Sequence, residues 1–384
     1  MRNSNMIYDV NPLPERIKEA RMAKGYTMSQ LAEKLSISRQ AISQYELGVN
    51  TPKDEVFSKM VDFLGFPVNY FYKPIEYRLN NPVFFRSFKT AEKRVRDISR
   101  VRIGWMIEIL LYLKRYIEFE QVTEGLIRSA PSKDDYYDDE IEEIALKVRK
   151  SFGLGLGPIS DVALLLENHG FIVSKMALNE QKVDACSVLN TFEDRRPLIF
   201  LTEDKTAVHS RFDVAHELGH VVLHSWVDEE YLEDPQNLKR IEKEAFRFAS
   251  AFLMPEETFS REIYSTSLES FLPLKKRWKV SIQAMIRRCY DLELFNQNQY
   301  EYLQRQISSR RARINEPLDD EICHEQPKTL KKAMQMLIDH KVQTPVEIVE
   351  NLRLPVDQIE MLCGLEKGIL RDKKEPYLRI VKNN

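Results

Sequence analysis

The sequence predicts a mainly α, multidomain chain: a five-helix DNA-binding bundle, an α+β unit with a small sheet, and a helical C-terminal extension. Three observations carry this. Residues Pro14 to Tyr72 form a run of short amphipathic helices with short breaks. Three β-type runs appear only between Phe171 and Leu201. The remainder has helical periodicity to the end. The 384 residues, 43% hydrophobic and 30% charged, suffice for two or three cores and are too apolar for a disordered chain.

In the first stretch Leu13, Ile17 and Ala20 share a face, as do Leu31, Ala32 and Leu35, then Ala41, Ile42 and Tyr45, then Val56, Met60, Phe63 and Leu64. Lys73 to Ala130 is rich in Arg and Lys, from Arg86 to Arg102, and reads as one or two connecting helices whose basic face is mainly solvated. Pro131 to Asp135 marks a boundary. Ile141 to Phe152 and Ile159 to Asn168 are helical, the second closed by Gly170, which suits a position of positive φ. Phe171 to Ser174, Ala185 to Leu189 and Pro197 to Leu201 make a three-stranded sheet. Helices follow at Ser210 to Leu223, Leu238 to Met254, Leu272 to Leu292 and Asn296 to Arg310, with two short ones around Leu354-Pro355. No internal repeat of fixed period is visible.

Charge and cysteine content narrow the function. Lys plus Arg total 57 against 59 acidic residues, net charge −2, so any DNA contact is local rather than a whole-chain field. Four scattered cysteines form no C-x-x-C pair, excluding a disulfide framework or a cysteine zinc ribbon. There is no secretory signal, and the apolar window from Ile103 to Tyr116 is interrupted by Glu108 and Lys114. The chain reads as cytoplasmic, with no membrane partner.

Thr27 is a hydroxyl N-cap before Leu31 to Leu35, and Ser36-Ile37-Ser38 is a tight turn into Arg39 to Glu46. On the second helix Arg39, Gln40, Ser43 and Gln44 present donors and acceptors suited to major-groove base edges, and Gln30 can meet a phosphate. The bland reading is a helical bundle with a polar face.

Bond-breaking chemistry resides in His216-Glu217-Leu218-Gly219-His220. On a helix, residues four apart stack, so both imidazoles reach one Zn²⁺ while Glu217, to the side, takes a proton from water that the metal acidifies. H-E-x-x-H arises by chance in on the order of one chain in a hundred of this kind, so its apolar helical context matters. Gly219, costing about 1 kcal/mol against Ala in a helix, points to close packing beneath the metal. A third ligand is needed. Glu244 aligns with Ile241, Phe248 and Phe252, while Glu242 aligns with Phe246, Ala249 and Leu253, and periodicity favours Glu244 only slightly. His224 repeats the four-residue step, but three successive turns diverge around one ion, so it reads as a group behind the ligands or one that meets the substrate in the transition state. Arg211 anchors the helix start or binds substrate carbonyls. The bland reading is a helix with two packed histidines.

Residues 14–72 resemble the lambda-repressor-like, XRE-type helix-turn-helix domain of bacterial regulators, through Arg16 to Arg21, Gln30 to Leu35, Ser38 to Leu47 and Pro52. Ile141 to Pro255 resembles the ImmA/IrrE family of zinc metallopeptidases, through Gly157-Pro158-Ile159, Leu164 to Gly170, Arg211-Phe212, Ala215 to His220, Leu223-His224, Glu242 to Ala249 and Leu253 to Pro255. This implies that Glu244, directly before Ala245, is the third ligand. Ala185-Cys186 departs from the Gly-containing edge common in the family, which bears on how a substrate strand docks. The expected division is 1–74 helix-turn-helix domain, 75–135 helical linker, 136–260 zincin-like metallopeptidase domain and 261–384 helical region of unknown role. The resemblance implies a regulator that binds a double-stranded DNA operator and whose Zn²⁺ endopeptidase cleaves a repressor or the chain itself; reading palindromic half-sites calls for a homodimer, and the boundary after the connecting helix makes Ser129 to Asp135 the self-cleavage candidate. Two other readings are a repressor whose zinc domain senses or scaffolds without proteolysis, and an antitoxin-like binding partner.

Overall fold

The computed structural model describes residues 11–77, 84–85, 93–127, 136–176, 185–189, 196–202, 205–228, 230–309 and 316–371. The chain divides into two compact units, each built from separated segments. The first comprises residues 1–77, 97–117 and 331–384, and the second residues 78–96 and 118–330.

The first unit opens with α1 (Pro14–Ala23), α2 (Met28–Leu35), α3 (Arg39–Glu46) and α4 (Asp54–Leu64), followed by a 3-10 turn at Val68–Tyr72 in place of a fifth α-helix. Thr27 and Gln30 make a reciprocal capping box on α2, and Ser38 accepts from the Ala41 N–H to cap α3. Helix α5 (Lys93–Leu113) follows, with residues from Asp97 onward in this unit. Its Glu108 is buried and bonds Arg16 of α1 at 2.6 Å and Lys73 at 2.6 Å. The linker residues Arg86 and Lys89 and the boundary Pro131 to Asp135 lie outside the described residues.

The second unit holds a four-stranded sheet in the order β1-β3-β4-β2, from β1 (Phe84–Phe85), β2 (Ile172–Met176), β3 (Ala185–Leu189) and β4 (Pro197–Thr202). The three expected strands form its body, β2 parallel and β3 antiparallel to β4. The expected three-stranded sheet gains β1, a two-residue antiparallel pairing on β3 by a segment about a hundred residues upstream, which no local pattern announces. Helices α6 (Asp138–Ser151) and α7 (Val162–Glu167) precede β2, and α8 (Ala207–Leu223) and α9 (Pro235–Leu253) follow β4. Phe171, Val173, Ile199, Leu201, Leu218 and Phe248 share one buried core. Gly170 has φ +87°, and a Cβ there would lie 2.6 Å from the Gln121 carbonyl.

Beyond α10 (Glu256–Phe259), the helix expected over Leu272 to Leu292 is two, α11 (Phe271–Trp278) and α12 (Ile282–Asp291). Lys279 turns into the left-handed region at φ 52° and Ser281 caps α12, while the apolar periodicity runs on across the break. Helix α13 (Gln297–Ser309) follows, and Glu316 and Glu325 tie the next segment to the first amides of α12 and α7. The chain then returns to the first unit through α14 (Thr329–Asp339), α15 (Pro345–Leu352) and α16 (Val356–Leu362). The expected 261–384 region is therefore divided between the units.

The helix-turn-helix hairpin recurs at irregular spacing. In α2–α3, α11–α12 and α15–α16 an eight-residue helix ends in a left-handed residue, Ser36, Lys279 or Arg353, with φ 55°, 52° and 57°. An apolar turn residue follows, Ile37, Val280 or Leu354, and the second helix buries Ile42, Met285 or Ile359 at the same step. Conformation repeats where residue identity does not, so a fixed-period search passes over it.

Candidate metal centre

Helix α8 is buried along most of its length and sets His216 and His220 one turn apart, their Nε2 atoms separated by 3.1 Å. From α9, Glu242 meets them, Oε2 at 3.3 Å from His216 Nε2 and Oε1 at 3.5 Å from His220 Nε2. Ligand atoms on a tetrahedral ion at about 2.0–2.1 Å stand about 3.3 Å apart. One ligand atom from each of His216, His220 and Glu242 lies within 4.8 Å of the others, the short contacts of Glu242 running through a different oxygen to each histidine, and the donor set of this triangle, two nitrogens and one carboxylate, fits Zn²⁺.

Glu244 is not in this triangle. Its Oε2 lies 2.9 Å from His224 Nε2, and its Oε1 accepts the Tyr136 N–H at 3.3 Å. Glu242, rather than the expected Glu244, is the carboxylate that the structure brings to the two histidines. Periodicity selects the most buried carboxylate, but a ligand beside an open coordination position must line the cleft: the Glu242 side chain is 18% exposed and that of Glu244 7%. His224 faces away from the triangle, its Nδ1 3.1 Å from His220 Nδ1. Glu244, His224 and His220 form a chain that fixes the His220 ring with Nε2 toward the site, as carboxylates do behind metal-binding histidines.

Glu217 is buried beside the triangle and accepts the Ser187 hydroxyl of β3 at 2.5 Å. Burial pushes its carboxyl up to about 8, against the His220 ring and the Ser187 hydrogen bond. Burial alone would also raise Glu242, but the hydrogen bonds from His216 and His220 outweigh it and hold that carboxyl well below its usual range. Burial lowers His224, and the neighbouring His220 adds to the effect. Ser187 escaped the sequence reading, since one serine in a strand carries no local signal.

A cleft of about 490 Å³ opens on the triangle, with His216, Asp213 and Phe212 on the α8 side, Glu242 and Phe246 on α9, and Arg287, Tyr300 and Gln304 opposite on α12 and α13. Arg211 does not line it. Its guanidinium, buried, donates to the Ile159 carbonyl and pairs with Glu325, contacts that suit the anchoring role. Gly219 has the packing role its sequence suggested: a Cβ there would meet the Ala245 carbonyl oxygen of α9 at 3.1 Å. In the first unit Gln30, Arg39 and Gln40 are exposed and Ser43 and Gln44 half-buried. Gln30 Oε1 accepts the Thr27 N–H and Gln44 Oε1 accepts from Asn50, so both carboxamides are partly engaged within the protein.

Fold and site together define a helix-turn-helix chain that also carries a metallopeptidase-type domain. Residues 17–71 match the helix-turn-helix family model, and residues 166–290 match that of the IrrE N-terminal-like domain, peptidase M78. The chain carries an XRE-type domain followed by an IrrE/ImmA-like one. It is 32% identical over 103 residues to a putative HTH-type transcriptional regulatory protein of Aeropyrum pernix, covering 26% of this chain and 30% of that one. It is 25% identical over 131 residues to the HTH-type transcriptional regulator ImmR of Bacillus subtilis, covering 34% of this chain and 97% of that one. Among solved structures, a Mycobacterium tuberculosis transcriptional regulator aligns at 14% identity with TM-score 0.30, covering 48% of this chain and 50% of that one. The chain thus spans 30% of the first curated relative's length and half of that solved chain.

Proposed function

We propose that the protein is a transcriptional regulator that binds an operator as a homodimer and whose second unit is a Zn²⁺-dependent endopeptidase acting on a repressor protein or on the chain itself. The observation that carries the peptidase reading is the His216–His220–Glu242 cluster, with Glu217 buried beside it and His216 and Glu242 lining an open cleft. Zn²⁺ bound there supplies Lewis acidity, polarising a peptide carbonyl and acidifying water. Glu217 accepts the proton and later returns it to the leaving amine, Ser187 holds its carboxylate, and the His224–Glu244 pair keeps the His220 ring in register. In the first unit Arg39, Gln40, Ser43 and Gln44 read base edges and Gln30 faces phosphate. The self-cleavage candidate at Ser129 to Asp135 lies outside the described residues. Names of relatives as transcriptional regulators agree with the DNA-binding part.

Glu217→Gln separates this from a sensor or scaffold. Expressed under inducing conditions, the wild type cuts a repressor or itself and the variant does not, a fall in rate of about 10²-fold or more, read by mass spectrometry of the fragments. Equal induction by both proteins contradicts the peptidase reading.

A further inference from the structure

Helix α12 carries two adjacent arginines with different surroundings. Arg288 is buried and serves the fold, donating to the Met254 carbonyl at 3.1 Å and pairing with Glu142 at 2.8 Å. Arg287 instead lines the cleft, across from His216 and Glu242. Its side chain is 41% exposed, and its Nε donates to Asp291, one turn on, at 2.8 Å. The guanidinium lies 5.7 Å from the centroid of the Tyr290 ring, which stacks on Tyr300 of α13 at 4.7 Å, and Tyr300 itself interacts with the guanidinium. An arginine ordinarily loses rotamer freedom when it takes up an anion. Here its neighbours on α12 and α13 have already restricted it. Asp291 takes only the Nε–H of five N–H donors, so the planar fork keeps donors for a ligand.

The charge of the cleft points the same way. Lys205, Lys243 and Arg287 line it against Asp213 and Glu242, and Glu242 is turned to the histidines. A concave site lined by an excess of one sign draws in the other. The volume of about 490 Å³ corresponds to a width on the order of 10 Å, the reach of about three extended residues.

We propose that Arg287 determines specificity by binding a carboxylate of the polypeptide in the cleft, within about three residues of the bond presented to the metal centre. This rests on the peptidase reading of that centre. A guanidinium and a carboxylate match in plane and spacing, so the contact selects position as well as charge. The carboxylate comes from an Asp or Glu side chain or from the end of the chain. Both sources present the same pair of oxygens, and they differ in where the cut falls, within a chain or in its last residues.

Full-length, zinc-loaded protein carrying Glu217→Gln allows binding to be read by anisotropy without chemistry. The probes are fluorescent nine-residue peptides of alternating serine and alanine with a central phenylalanine, amidated at the C-terminus, with Glu or Gln placed in turn at each flanking position. Shorter members ending one or two residues after the phenylalanine, with a free carboxylate or an amide, report on the chain-end source. At one position or more the carboxylate should tighten binding about tenfold or more over its neutral counterpart. Arg287→Met should erase that preference and Arg287→Lys keep part of it, with zinc per chain measured alongside as the check that the cleft is intact. A preference for internal Glu assigns the side-chain source, and one confined to the free C-terminus assigns the chain end. Equal affinity for charged and neutral probes, or a preference that survives Arg287→Met, overturns the proposal. Arg287-dependent binding of a carboxylate probe that the Glu217-intact protein does not cut contradicts the peptidase reading alone and leaves the role of Arg287 standing.

Discussion

Glu217 is asked to be buried and to accept a proton. Burial favours its neutral form, raising the carboxyl from 4.5 to about 8, and a cation on the neighbouring triangle is what would restore the charged form near neutrality. In metal-free protein this has a measurable sign. Between 4.5 and about 8 the folded chain keeps a proton that the unfolded chain releases, so stability is greatest below the lower value and falls as pH rises through the window. Urea melts in chelator at pH 5 and pH 8 should show that loss, and Glu217→Gln should reduce it. An unchanged slope in the variant contradicts the assignment. The two H-E-x-x-H candidates were legible because one residue spacing determines them. The third candidate was not: Glu242 and Glu244 sit two residues apart on one helix, and periodicity ranks burial, whereas ligation requires a carboxylate at the cleft wall.

Between elements, the site depends on how closely α8 approaches α9. Gly219 meets the Ala245 backbone and the Phe248 ring with no room for a larger side chain, a Cβ falling at 3.1 to 3.2 Å from each. Gly219→Val should push the helices apart, cost about 1–3 kcal/mol from overpacking, and move Glu242 away from the histidines, so thermal stability and zinc affinity should fall together. Retention of both contradicts the account. Most element types could be read from apolar period and caps. The breaks at Lys279 and the strand β1 could not, because an αL residue interrupts a helix without interrupting its apolar pattern, and a non-local pairing leaves no local trace. The three hairpins share geometry but not surface: the second helix of the first begins Arg39-Gln40, and that of the third Val356-Asp357. The first presents Arg39 and Gln40, both exposed, at the start of its second helix.

At the scale of the whole molecule, the chain's last helices belong with its first. Lys73 donates to the Leu352 carbonyl of α15 at 3.0 Å while holding Glu108, and Tyr112 of α5 donates to Gln343 at 3.2 Å. Leu352, Leu354, Ile359 and Leu362 are buried. Removing residues 331–384 should therefore destabilise the DNA-binding unit and weaken operator affinity, as followed by thermal melts and gel shift, with zinc content unchanged. Undiminished DNA affinity would contradict that placement. Sequence punctuation could not show this division, since the contacts that assign 331–371 join residues more than two hundred positions apart. Among the described residues no helix is long and apolar enough to cross a membrane.

The central claim is that Glu242 completes the metal triangle while Glu244 acts behind it through His224. Zinc per chain and the zinc dissociation constant, measured by elemental analysis and chelator competition on wild type, Glu242→Ala and Glu244→Ala, test it most directly. The account predicts about one zinc in the wild type, none retained by Glu242→Ala, and zinc held by Glu244→Ala with affinity weakened about 10–100-fold. Zinc lost from Glu244→Ala and held at wild-type affinity by Glu242→Ala would contradict it.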